Sequence, residues 1–185
     1  MRQLVRISSV TLTILLCGAL GGCAGRGYEA GMHYEPQPAL VEVLHRTGTV
    51  PQQVPLTVLA SVKGVRPGDA KTGTPPEVEL RLRFENHGPA QVEFDPGSLE
   101  LTTGALRDFP PPRVTPPAPV ELSPGQSQTV TALFPLAPGV DARSPAVDHL
   151  RLRWRVSVNG QSVPQTVLFV RDSGGPGMSN DPLAG

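Results

Sequence analysis

VELRLRFEN, residues 78–86, alternates apolar and charged side chains without a break. Val78, Leu80, Leu82 and Phe84 share one side, and Glu79, Arg81, Arg83 and Glu85 share the other. Only a period of two puts four apolar residues on a single face, so the stretch reads as a half-buried β-strand. HLRLRWRVSV, residues 149–158, repeats the device with Leu150, Leu152, Trp154, Val156 and Val158 inward and Arg151, Arg153 and Arg155 outward. Asn159-Gly160 follows at once, two residues that tolerate positive φ, and QTVLFVR supplies the returning strand of a tight hairpin.

Weaker strands fill the surroundings: PLTVLASV (55–62), QVEF (91–94), SLELTT (98–103), APVEL (118–122) and QTVTALF (128–134). Asn86-His87-Gly88-Pro89, Asp95-Pro96-Gly97 and Ser123-Pro124-Gly125 supply the turns between them. Pro110, Pro111, Pro112, Pro116 and Pro117 predict a stiff, extended connection that does not pair inside a sheet. Seven to eight short strands without a long helix predict an all-β fold, an antiparallel β-sandwich spanning residues 54–171. Trp154 on a central strand suits its core.

The chain opens differently. MRQLVR carries Arg2 and Arg6 and no acid, and the apolar stretch ISSVTLTILLCGAL ends at Leu20. Fourteen residues fall short of the roughly 20 that a membrane-spanning helix needs, and they match the apolar region of a secretory signal. Leu20-Gly21-Gly22-Cys23 then resembles the lipobox of bacterial lipoproteins. That resemblance implies cleavage before Cys23 and a thioether-linked diacylglycerol on its sulfur. Residues 1–22 are accordingly expected to be a signal peptide. Simple cleavage without acylation, or an uncleaved anchor, are the competing readings. Cys17 follows bulky Leu16 and is expected to leave with the signal. An acylated Cys23 leaves no free thiol, which excludes thiol catalysis, disulfides and Cys-rich zinc sites.

Residues 23–53 carry scattered Gly and Pro and are read as a flexible tether, with a short helical turn around ALVEVLHR (39–46). DSGGPGMSNDPLAG, 172–185, is small, polar and Gly-rich and is expected to be a disordered tail. Sixteen basic and sixteen acidic residues balance, and loss of Arg2 and Arg6 with the signal leaves a net of minus two. Such a chain lacks the basic excess of a general nucleic-acid binder.

VELRLRFENHGPAQVEFDPGSLEL followed by VELSPGQSQTVTALFPL resembles the small immunoglobulin-like domains of bacterial envelope lipoproteins. The resemblance covers roughly residues 55–171. It implies a lipid-anchored envelope protein and assigns no activity, since a fold does not specify one. Ala24 stands where an Asp would retain an enteric lipoprotein at the inner membrane. By that rule a host with two membranes places it on the periplasmic face of the outer membrane.

Catalytic and ligand-binding motifs are incomplete in this sequence. Gly125-Gln126-Ser127-Gln128-Thr129 lacks the second Gly of a nucleophile elbow and leads into a strand. Gly25-Arg26-Gly27-Tyr28-Glu29-Ala30-Gly31 has neither the spacing nor the strand–helix setting of a dinucleotide loop. His33, His45, His87 and His149 form no ligand spacing, and Met32-His33 stands without companions, so neither metal nor cofactor is expected. Glu79 and Glu85 are read as outward acids neutralised by Arg81 and Arg83 rather than as an acid–base pair.

The outward arginines remain. If their strands are neighbours, Arg81, Arg83, Arg151, Arg153 and Arg155 make one basic face for carboxylates or phosphates. If the strands lie in opposite sheets, the patch is split and the arginines only keep each face soluble. The sequence therefore predicts a non-enzymatic protein-binding or assembly module. It is held at the bilayer by Cys23, with an envelope protein as partner. The alternative is a binder of anionic envelope glycans.

Overall fold

Val78, Leu80, Leu82 and Phe84 are fully buried while Arg81 and Arg83 are exposed, so the alternation faces the core as its pattern requires. The computed structural model describes residues 27–29, 32–47, 50–137 and 140–172, and of 44–47 and 50–55 the backbone only. Eleven strands form among them: β1 His33–Glu35, β2 Ala39–Thr47, β3 Val50–Arg66, β4 Glu77–Asn86, β5 Val92–Phe94 and β6 Glu100–Thr103, followed by β7 Arg113–Thr115, β8 Val120–Leu122, β9 Ser127–Pro135, β10 His149–Val158 and β11 Gln161–Asp172. No α-helix forms among the described residues.

The strands make two sheets in which every pairing is antiparallel. One runs β1-β11-β10-β5-β8, with β6 also paired to β10; the other runs β2-β3-β4-β9-β7. This is the expected β-sandwich, with more strands than the seven to eight expected. Their inner faces interlock through one apolar core that holds Leu80, Leu82, Phe84, Phe94, Leu152 and Trp154. The Phe84 and Phe94 rings meet 4.5 Å apart and join one sheet to the other. Burying side chains of this size stabilises the fold by about 1.5–3 kcal/mol each. Asn86 adds a polar staple at one end. Its amide donates to Ala90 O at 2.8 Å and Leu122 O at 3.0 Å, and its carbonyl accepts from Gly88 N. The hairpin at Asn159-Gly160 forms as expected, with both residues at positive φ and Val158 opposite Gln161.

The sandwich begins earlier than residue 54. The segment expected to be a tether supplies β1, β2 and the start of β3, and ALVEVLHR is strand rather than helical turn. Ala39 and Val43 turn inward while Leu40 and Glu42 face solvent, a period of two that the exposed Leu40 disguises. The proline-rich stretch also contributes a strand. Arg113–Thr115 pairs with β9, but at the rim of its sheet, where proline neighbours interrupt no ladder. Residues 1–22, Cys23 and the tail beyond Asp172 lie outside the described residues.

Candidate binding surfaces

β4 and β10 belong to different sheets, so the structure does not bring the five arginines together. Arg81 and Arg83 stand on the outer face of one sheet, and Arg151, Arg153 and Arg155 on the outer face of the other. Alternation fixes which way each side chain points relative to the core. Strand order decides which side of the molecule that is.

The arginines of the two faces also differ in their company. On β4, Arg83 Nε sits 2.8 Å from Glu85 and Arg81 Nε 3.1 Å from Glu79. Arg113 of β7 grips Glu77 with Nη2 at 2.8 Å from both carboxylate oxygens. On β10, Arg153 approaches Glu100 loosely, at 3.7 Å. Arg151 and Arg155 are exposed and form no ion pair among the described residues. They share their face with Leu168 and Val170 of β11, large apolar side chains left in solvent.

Glu79 is the main surprise. It was expected to face water, and it is fully buried. Its position on the outer face is correct, but a distant segment covers it. Residues 27–29 lie across β3, with Glu29 N donating to Val65 O at 2.8 Å and Tyr28 packed on Gly64. The Tyr28 phenol and Arg66 both hydrogen-bond the Glu79 carboxylate, and Arg66 Nε reaches Oε2 at 2.6 Å. Burial raises the Tyr28 pKa, and so does the hydrogen bond to the adjacent carboxylate, while Arg66 and Arg81 pull it back. A β-bulge at Val62/Gly64 opens the room, and Gly64 at φ +128 has no side chain to fill it.

A cleft of about 610 Å³ opens where β6 and β10 of one sheet face β7 and β9 of the other. Leu99, Leu101, Phe109, Val114 and Phe134 line it beside Pro110, Pro111 and Pro112. Phe109 packs edge-on against Phe134 at 6.3 Å, and Arg153, Glu100 and Asp108 supply its charged part. The volume is that of a ligand pocket. The triple proline was its trace in the sequence.

The histidines do not converge. His33 and His149 are exposed on β1 and β10, His87 lies 3.5 Å from Glu85 in its turn, and the His45 side chain lies outside the described residues. No group of three or more His, Cys, Asp or Glu with metal-holding geometry exists among the described residues. Ser127 is exposed at the start of β9. No helix among the described residues is long and apolar enough to cross a membrane.

No family model matches the chain, and no curated protein matches it. Among solved structures, the yjhA protein from Bacillus subtilis aligns with a TM-score of 0.38 and 13% identity, over 63% of this chain and 76% of that one. A match that remote carries no argument for function.

Proposed function

We propose that the chain is a membrane-anchored envelope lipoprotein whose β-sandwich is a non-enzymatic protein-binding or assembly module. One observation supports this best: the lipobox-like Leu20-Gly21-Gly22-Cys23 ends only five residues before Tyr28, the first side chain packed on the sandwich among the described residues. Lipid on Cys23 would deliver a folded surface directly to a membrane and raise its effective concentration for envelope partners. The proline-lined cleft offers such a partner a concave contact. In a host with two membranes, Ala24 favours the periplasmic face of the outer membrane.

The test is the mass of the mature N-terminal peptide together with the fate of a Cys23→Ala variant. Diacylglycerol on Cys23, and loss of processing and membrane retention in the variant, are the expected results. An unmodified Cys23, or a variant that stays on the membrane, rejects the reading.

A second reading has its own observation. Arg151 and Arg155 lack carboxylate partners among the described residues, which leaves their guanidinium forks free for an anionic glycan. Binding of a polyanion that weakens steeply with salt would support it.

A further inference from the structure

Four residues, hence five chain steps, separate Cys23 from Tyr28, a reach of at most about 18 Å. Tyr28 lies on the outer face of β3 and β4, against Gly64 and Glu79. A lipid on Cys23 therefore pulls from that face. The opposite outer face stands behind a second sheet about 10 Å away, with a layer of side chains on each side. A tether that short cannot carry it around the sandwich and lay it flat on a bilayer.

We infer, resting on the lipoprotein reading, that the outer face of the β2-β3-β4-β9-β7 sheet lies on the headgroups of a phospholipid bilayer. The outer face of β11 and β10 points away. The chemistry of the described face fits this occupant. Tyr28 is 42% exposed, an amphipathic ring suited to headgroup depth. Leu40, exposed at 62%, stands in one cross-strand row with Leu59 and Arg83. On this face Lys63, Arg66, Arg81, Arg83 and Arg113 stand among Glu29, Glu42, Glu77, Glu79 and Glu85, so cations and carboxylates are interspersed. Arg81 and Arg83 reach Glu79 and Glu85 through Nε, and their side chains stay 49% and 56% exposed. Their terminal nitrogens are thus placed to take phosphodiester oxygens. The same geometry leaves Arg151, Arg155, Leu168 and Val170 on the side that a soluble partner meets.

Two matched positions test the orientation. Thr129 on β9 pairs in register with Arg83, and Thr166 on β11 with Arg153; both threonines are exposed and outward. Full-length Thr129→Cys and Thr166→Cys proteins, extracted with their lipid, carry a polarity-sensitive fluorophore. They are added to preformed phosphatidylethanolamine–phosphatidylglycerol vesicles, and the mass of the N-terminal peptide is recorded first. With diacylglycerol on Cys23, the label at 129 is expected to shift to the blue and to resist aqueous iodide several-fold better than the label at 166. Adding Arg81→Gln and Arg83→Gln should shrink that difference. Equal quenching, or better protection at 166, overturns the orientation and leaves the lipoprotein reading standing. Protection at 129 that follows protein density rather than lipid assigns the face to a second copy and overturns it as well. A peptide without lipid removes the lipoprotein reading, and the orientation falls with it.

Discussion

Tyr28 rests on the bare α-carbon of Gly64. A Cβ placed there would lie 3.2 Å from Tyr28 Cβ, on a backbone at φ +128 that side chains rarely adopt. Glycine thus does two things at once: it permits the bulge geometry, and it admits the ring that covers Glu79. Gly64→Ala is expected to destabilise the fold by roughly 2 kcal/mol through strain and clash together. It should also make the chain before residue 30 more sensitive to protease. Urea unfolding with limited proteolysis reads both, and an unchanged midpoint would show that the bulge relaxes freely.

Glu79 gives an ordered set of substitutions. Its carboxylate is fully buried while Arg66 and Arg81 keep 37% and 49% of their side chains in solvent. Removing Arg66 strands a buried charge on a single remaining guanidinium contact, whereas removing Glu79 leaves two arginines that can turn to water. Screening reduces both effects. Arg66→Gln is expected to cost about 2–3 kcal/mol and Glu79→Gln about 1 kcal/mol. Thermal unfolding of both variants checks the order, and the reverse order would contradict the burial argument.

The two long alternating strands were legible because their pattern needs nothing from elsewhere in the chain. VELRLRFEN and HLRLRWRVSV each declare a face within a few residues, and both faces are as expected. Which sheet each strand joins depends on pairings that no local pattern contains, so the arginine patch could be posed but not decided. Glu79 illustrates the same limit. Alternation put it on the outer side, and a segment 51 residues earlier in the chain turned that side into interior. β2 escaped for a smaller reason: Leu40 is apolar and exposed, so ALVEV carries its period of two without the usual contrast.

Both tyrosines of the chain, Tyr28 and Tyr34, have pKa values raised above 10.0, with burial the main cause in each. Tyr34 is fully buried and donates to Val147 O at 3.0 Å, while Arg171 works against the rise. A phenol kept neutral by the fold contributes its full stabilisation below pH 10. That contribution fades as pH climbs through the raised native value, because the unfolded chain releases the proton first. Phenolate absorbance of the native protein is therefore expected to lag behind that of the urea-unfolded chain. Stability to urea should fall above pH 10. Native titration at the ordinary value would contradict the packing of both rings.

Leu106 offers a gain rather than a loss. It sits at φ 58 in a turn closed by its own N–H on Thr103 O at 2.9 Å, and it is 65% exposed. A left-handed L-residue costs roughly 1–2 kcal/mol, a cost that asparagine escapes in part through local hydrogen bonding. Leu106→Asn is expected to raise stability by roughly 0.5–1 kcal/mol in urea unfolding. A lower midpoint would mean that the leucine makes contacts worth more than the strain.

The arginines of the two faces should separate when substituted. Arg113 holds the mostly buried Glu77 through two bonds of 2.8 Å, so Arg113→Gln is expected to cost about 1 kcal/mol even though the guanidinium is largely solvated. Arg151 and Arg155 form no ion pair among the described residues, and their combined change to Gln should stay within about 0.5 kcal/mol of the parent. Heparin serves as the polyanion for the second measurement. If the β10 face takes anionic glycans, the double variant loses heparin affinity while keeping its melting temperature, and Arg113→Gln does the opposite. Heparin binding left intact by the double variant would remove the glycan reading and leave that face to proteins.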